Sequence, residues 1–211
     1  MTGSMTLFDT LRRIVKEEVA RTRSAELAVV QEQHSHADES DMDNYACTVA
    51  LRDSGIVLKK VPVATQHIGC AAIPEVGELV LLQFIGGDIN APIITGRLYN
   101  DEDRPPVNTA QQMITHLPPG AADDEAVHLE LNSGDSTSVV INIGSAIKLT
   151  LIDDDPAVTL DVGDGAAKLS ITQGGELVIE SQGDLKFTSS GNLELEAGGD
   201  MNLTGTTINL N

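Results

Sequence analysis

The stretch Gly175-Glu176-Leu177-Val178-Ile179-Glu180-Ser181-Gln182-Gly183-Asp184-Leu185-Lys186-Phe187 opens a strict eight-residue period that runs on through the C-terminal part of the chain. Gly175, Gly183, Gly191 and Gly199 start successive octads; two positions on stand Leu177, Leu185, Leu193 and Met201, and two further on Ile179, Phe187, Leu195 and Leu203. One octad upstream Ala167 replaces the glycine, while Leu169 and Ile171 keep the register. A strand alternates its side chains between two faces, so each octad is a corner followed by a short strand with two apolar residues on one side. Val178, Lys186, Glu194 and Asn202 fall on the other side. Looser strands of the same kind precede them, at Val127/Leu129/Leu131, Val139/Ile141/Ile143, Ile147/Leu149/Leu151 and Val158/Leu160/Val162.

Two inward side chains per octad cannot enclose a core within one chain, because solenoids that close on themselves need repeats of about 20 residues or more. The octad makes one pass along one face, and the other faces must come from elsewhere. Three identical chains wound together close a triangular prism, with the apolar pairs stacked on the axis and every strand edge paired with a neighbour. The period thus predicts an obligate homotrimer, a triple-stranded intertwined β-helix or β-prism. Its axial core would be Leu169, Ile171, Leu177, Ile179, Leu185, Phe187, Leu193, Leu195, Met201 and Leu203, with corners at Gly175, Gly183, Gly191 and Gly199. The alternative, a two-sheet sandwich, would need five octads to stay in phase by coincidence.

Working toward the N-terminus, residues 105–126 form a linker rich in Pro, Asp and Gln, with Arg104-Pro105-Pro106 and Leu117-Pro118-Pro119-Gly120. Before it, strands are expected near 45–51, 56–63, 78–86 and 92–98, separated by Asp53-Ser54-Gly55, Ile73-Pro74-Glu75-Val76-Gly77 and Gly86-Gly87-Asp88. That spacing suits a small antiparallel barrel. At the N-terminal end Leu7, Leu11, Ile14, Val15 and Val19 follow helical steps, and no Gly or Pro interrupts residues 5–33. Thr6 is placed to cap the helix, with Asp9 three residues on. The apolar stripe docks either on its own domain or on a neighbouring subunit. The domains expected are therefore 1–36 helix, 37–104 barrel, 105–126 linker and 127–211 trimeric β-helix, with octads from about 167.

Charge narrows the function. The 211 residues hold 32 acidic and 13 basic side chains, a net charge of −19, and the five aromatics are Phe8, Tyr45, Phe84, Tyr99 and Phe187. Binding a nucleic-acid backbone requires Lys/Arg clusters, and base stacking requires aromatic platforms; this chain is built for neither. Residues 1–33 balance five bases against five acids, so the excess charge lies beyond them. No apolar run approaches the roughly 20 residues of a membrane span, nor is there a signal-peptide core, which predicts synthesis and retention in the cytoplasm before assembly. Cys47 and Cys70 are expected to be buried free thiols.

The stretches Val61-Pro62-Val63-Ala64-Thr65, Pro74-Glu75-Val76-Gly77-Glu78-Leu79-Val80, Phe84-Ile85-Gly86-Gly87-Asp88 and Pro92-Ile93-Ile94-Thr95-Gly96-Arg97-Leu98-Tyr99-Asn100 closely resemble the five-stranded OB-fold barrel of contractile-tail spike proteins. These are phage baseplate assembly protein V, the T4 cell-puncturing spike and the VgrG spikes of type VI secretion. Pro74, Glu75, Val76, Gly77, Gly96 and Tyr99 carry the motif, and the octads are similar to the family's triple-stranded β-helix. The N-terminal helix fits the short phage-type version without a fused hub domain. Glycines at 77, 86 and 87 suit turns at positive φ, and Pro92 suits the first position of a strand. The resemblance implies a collar that joins a needle to a hub, and it implies no chemistry at these positions.

Two departures from the family are evident. Some phage spikes end in a His-x-His tip that binds iron, whereas here the last histidine is His128 and the chain ends Thr206-Thr207-Ile208-Asn209-Leu210-Asn211. No tip metal site is expected. The resemblance instead implies a PAAR-repeat tip protein docking on Ile208, Leu210 and Asn211, where the register slips by one residue. No segment is long enough for an inserted lysozyme domain.

Other motifs read as structural. His34-x-His36 beside Asp38 and Glu39 is a solvated connector, and Asp153-Asp154-Asp155-Pro156 and Asp161-Val162-Gly163-Asp164-Gly165 are turns without the ligand spacing of a calcium loop. There is no phosphate-binding Gly-Lys-Ser/Thr loop and no recognisable nucleophile motif. No catalytic residue, cofactor or metal site is assigned, and no enzyme activity is expected. The function predicted is the trimeric central spike of a phage tail baseplate or a phage-tail-like contractile injection particle. It would be a rigid needle that meets a target membrane only on firing, with Leu7, Leu11, Ile14, Val15 and Val19 docking on the hub. The alternative is a free-standing trimeric fibre or adhesin for a surface polysaccharide, which would need a receptor head or sugar-stacking aromatics.

Overall fold

A computed structural model describes residues 6–21 and 24–209, giving the backbone alone over 17–21. It is mainly β, with one helix and two antiparallel sheets, and it divides into two units at residues 108 and 109.

In the first unit helix α1 spans Leu7–Arg21. Thr6 Oγ1 accepts from the Asp9 backbone N–H at 3.2 Å and Asp9 Oδ2 accepts from the Thr6 N–H at 3.3 Å, the reciprocal cap expected. The expected helix over 5–33 stops early. Ala25–His34 is strand β1, so the barrel begins before residue 37. Its composition tolerates either state, but in β1 the side chains of Ala28 and Val30 reach the core while β1 pairs with two strands at once. Tertiary pairing of that kind outweighs the few tenths of a kcal/mol per residue that separate helix formers from strand formers.

β2 (Ala46–Leu51), β3 (Val57–Pro62), β4 (Leu79–Phe84) and β5 (Pro92–Leu98) fall close to the predicted positions. Their order is β3-β2-β1-β4-β5, and a parallel bridge from Val63 to Ile94 links the two ends. Ala28, Val30, Cys47, Val49, Leu51, Val61, Val80, Leu82, Phe84 and Ile94 form its core. Gly77, Gly86 and Gly87 have φ of 99°, 62° and 79°, as their turns require. Cys47 is buried as expected, and burial pushes its thiol pKa up; Cys70 is exposed, contrary to expectation.

The second unit is one sheet of seven strands in sequential order: β6 (Gln112–Leu117), β7 (Val127–Ser133), β8 (Thr137–Ile143), β9 (Ile147–Ile152), β10 (Val158–Val162), β11 (Ala167–Ile171) and β12 (Leu177–Ser181). β6 lies inside the expected linker 105–126, because Met113, Thr115 and Leu117 alternate in register against Leu131, Leu129 and Val127. Its flanking prolines disguised it. Among the described residues after Ser181 none belongs to a strand ladder.

Candidate functional site

Register determines what the second sheet presents. Directly opposed residues give a row Thr115, Leu129, Ile141, Leu149, Leu160, Leu169 and Ile179, and a second row Met113, Leu131, Val139, Leu151, Val158, Ile171 and Leu177. A third runs Leu117, Val127, Ile143, Ile147 and Val162 to Ala167. All three lie on the same face of the pleat, because side chains two apart along a strand share a side. The face is apolar from end to end, yet within one chain it stays open: Leu117 is 54 % exposed, Ile143 48 %, and Leu177 57 %. Only Ala126 among the described apolar residues of this unit is fully buried.

The opposite face is more polar, although its row through Glu130 and Thr150 also carries Ile114, Val140 and Val178. Its corresponding row reads His116, His128, Asn142, Lys148, Asp161, Lys168 and Glu180. From Lys148 on, the signs alternate, and opposite charges directly across a ladder stabilise a pair by about 0.2–1 kcal/mol. The sheet is thus two-faced along its full length.

Of the expected axial residues, the structure puts Leu169, Ile171, Leu177 and Ile179 together on the apolar face. Leu185, Phe187, Leu193, Leu195, Met201 and Leu203 continue the chain beyond the sheet and are all exposed. Gly175 has φ 85°, whereas Gly183, Gly191 and Gly199 lie outside the left-handed region, and a Cβ on any of them would meet no atom of this chain within 4 Å. Ile208 is exposed; Leu210 and Asn211 lie outside the described residues. On α1, Leu7, Leu11, Ile14 and Val15 are exposed, and the side chain of Val19 lies outside the described set.

The barrel motif residues serve its architecture. Pro74 is fully buried, and its carbonyl accepts from Gln33 Nε2 at 2.8 Å. Glu75 and Val76 form the turn closed by the Glu78 N–H on the Glu75 carbonyl, and Gly77 donates to the Val30 carbonyl of β1 at 2.9 Å. Arg97, between Gly96 and exposed Tyr99, reaches the Ala72 carbonyl and lies 3.5 Å from Glu78. The His34-x-His36 motif is a solvated connector only in part: His34 closes β1, largely buried, with Nε2 2.8 Å from Thr48 Oγ1, whereas His36 lies in the exposed turn with Nδ1 2.9 Å from Asp41 Oδ1. The His36 contact, followed by backbone N–H donors, holds the Asp41 carboxyl well below the usual carboxylate range.

One constellation escaped sequence reasoning. His116, Asp123 and His128 bring their ligand-capable atoms within 4.8 Å of one another. His116 is the penultimate residue of β6, His128 the second of β7, and Asp123 stands on the loop between the strands. Twelve residues separate the two histidines, so only the hairpin register, which opposes them directly, could have revealed the pair.

Residues 53–99 match the family of the type VI secretion system and phage-baseplate injector OB domain. The chain is similar to the type VI secretion system spike protein VgrG1a of Pseudomonas aeruginosa, with 36% identity over 73 residues, 35% of this chain and 10% of that protein. VgrG1c of the same organism matches at 36% over 73 residues, covering 35% of this chain and 9% of the relative. The actin cross-linking toxin VgrG1 of Vibrio cholerae matches at 44% over 43 residues, 20% of this chain and 4% of the toxin. The chain therefore spans a tenth or less of the length of these curated relatives. No helix among the described residues is long and apolar enough to cross a membrane. With its barrel, motif turns and register in place, the segment at residues 53–99 is similar to the injector OB domain of type VI secretion systems and phage baseplates, the domain family of VgrG-like spikes.

Proposed function

We propose that three copies of this chain assemble into the central spike of a contractile injection machine, a phage tail or a phage-tail-like particle, and that the spike acts as a rigid needle rather than an enzyme. The observation that carries this reading is the continuous apolar face of the seven-stranded sheet, open in one chain and extended by the octads to Leu203. Exposed apolar area on that scale marks an interface, and at about 25 cal/mol per Å² its burial favours association strongly. A threefold prism would put the three apolar faces on the axis and leave the rows containing Lys148, Asp161 and Lys168 outside. The corner glycines support it as well. Gly183, Gly191 and Gly199 need no left-handed backbone and abut nothing in their own chain, as expected where another chain runs close.

The injector OB domain supports placement as a collar between needle and hub, with Leu7, Leu11, Ile14 and Val15 of α1 as the hub contact. The C-terminal end near Ile208 would take a PAAR-repeat tip protein. Stiffness, the property a piercing device needs, would come from a dry axial core and ladders running from chain to chain.

The test is native mass spectrometry of the full chain together with SDS gels of unheated samples. A trimer that withstands SDS is expected, and a monomer at micromolar concentration would overturn the reading. Co-purification with tube and sheath subunits then separates a baseplate spike from a free-standing fibre.

A further inference from the structure

We propose that His116, His128 and Asp123 form a divalent metal site of the zinc type, on the polar face of the second sheet. The inference goes beyond the spike reading and is independent of it, since all three ligands come from one hairpin of one chain.

The geometry of the two imidazoles carries the proposal. His116 Nε2 lies 3.0 Å from the Ala121 carbonyl oxygen, which can only accept, so Nε2 bears the proton and Nδ1 of the neutral ring carries the lone pair. His128 Nε2 lies 3.7 Å from the Glu130 carboxylate, longer than a hydrogen bond, with the ring turned so that its Nδ1 points the other way. The two Nδ1 atoms are then turned toward each other at 3.3 Å, with the rings crossed at 73°. Without a metal, that distance is a hydrogen bond in which one ring donates its Nδ1 proton to the other; with both Nδ1 atoms deprotonated, the two lone pairs converge on one point that a cation can occupy. A separation of about 3.3 Å is also the edge of a tetrahedron whose metal–nitrogen bonds are about 2.0–2.1 Å. Ligating histidines commonly donate their second N–H to a carbonyl or carboxylate, the arrangement that Ala121 supplies for His116.

Asp123 provides the third ligand. Its Oδ1 is 4.0 Å from His116 Nδ1, and its side chain is 93 % exposed and free to close the remaining gap. The loop that carries it is fixed at its far end. Ala126 is buried, its carbonyl accepts from the Gly144 N–H at 2.8 Å, and a Cβ on Gly144 would lie 2.9 Å from the Asp124 carbonyl. The histidines are 9 % and 18 % exposed, so the site opens on the Asp123 side, where water would complete a tetrahedron. Across the ladder from His128, Asn142 keeps a buried Oδ1 with no hydrogen-bond partner. Imidazole and carboxylate donors without thiolate suit zinc, with cobalt and nickel as substitutes.

Full-length protein stripped with EDTA and titrated with ZnCl2 by calorimetry tests the site. One Zn²⁺ per chain is expected, tighter than about 100 µM, together with a visible cobalt spectrum of tetrahedral intensity. Asp123→Asn, at an exposed position that leaves the sheet intact, should weaken binding at least about tenfold, and the His116→Asn/His128→Asn double variant should abolish it. Zinc should raise the melting temperature of the native protein and not of the double variant. Absence of saturable binding, or binding that survives in the double variant and is lost in His34→Asn/His36→Asn, would overturn the proposal; the first result would leave the histidines as a proton-sharing pair.

Discussion

At Gly77 the backbone takes φ 99° at the same time as its N–H closes onto β1, so one residue sets both the turn and the strand it seals. A side chain there meets no neighbour, and the penalty of Gly77→Ala is therefore conformational, about 1 kcal/mol or more by denaturant unfolding. Leu82 is a different case. It is fully buried in the barrel core, and Leu82→Ala should cost about 2–5 kcal/mol on the same measurement. Thiol chemistry separates the two cysteines in the same spirit: in native protein Cys70 should react with a maleimide promptly and Cys47 only after unfolding. The turn at 36–43 responds to acid in a defined sense. Because the folded Asp41 carboxyl sits below its unfolded value, the turn's stabilisation is present above pH ~4 and fades as pH falls through the folded value. Amide shifts of Ala37 and Asp38 followed by NMR from pH 7 downward should hold steady well past the point where an ordinary aspartate titrates.

Elements differ in how plainly their sequences announce them. β2 to β5 were legible because alternation and turn chemistry agree there: Pro92 opens a strand, Gly86 and Gly87 close one. β7 to β11 were legible from period two alone. β1 was not, since Ala25-Glu26-Leu27-Ala28 favours a helix locally and becomes a strand only through its pairing with β2 and β4. β6 was hidden by Pro118 and Pro119, which end it rather than exclude it. The histidine cluster has no signal in one dimension, because its proximity is created by a hairpin with a long loop. The octads after β12 are the converse: their pattern is the clearest in the chain, yet among the described residues they form no strand ladder. At this scale the apolar face makes a sharp prediction. On the trimer reading proposed above, Leu160→Asp or Leu185→Asp would bring like charges together on the threefold axis, and the SDS-resistant species should be lost in either variant. Unchanged migration would argue against an axial position.

For the molecule as a unit, the strand at 25–34 changes how the N-terminal segment should be removed. Deleting residues 1–33 would take out the middle of the barrel, so the docking role of α1 is tested by deleting 1–23 instead. That variant should keep its oligomeric state, measured by native mass, and fail to enter baseplates; normal incorporation would refute the contact.

The barrel's core is drawn wholly from residues 28–94, whereas among the described apolar residues of the second unit only Ala126 is fully buried and the rest are half-buried or exposed. The two halves should therefore obey different kinetic orders. Refolding of the barrel would proceed at a rate indifferent to dilution, while the needle, on the trimer reading, would mature at a rate that climbs steeply with chain concentration. During synthesis the first half can be finished before the second has left the ribosome, and the cell's supply of nascent chains would then set the pace at which spikes are completed.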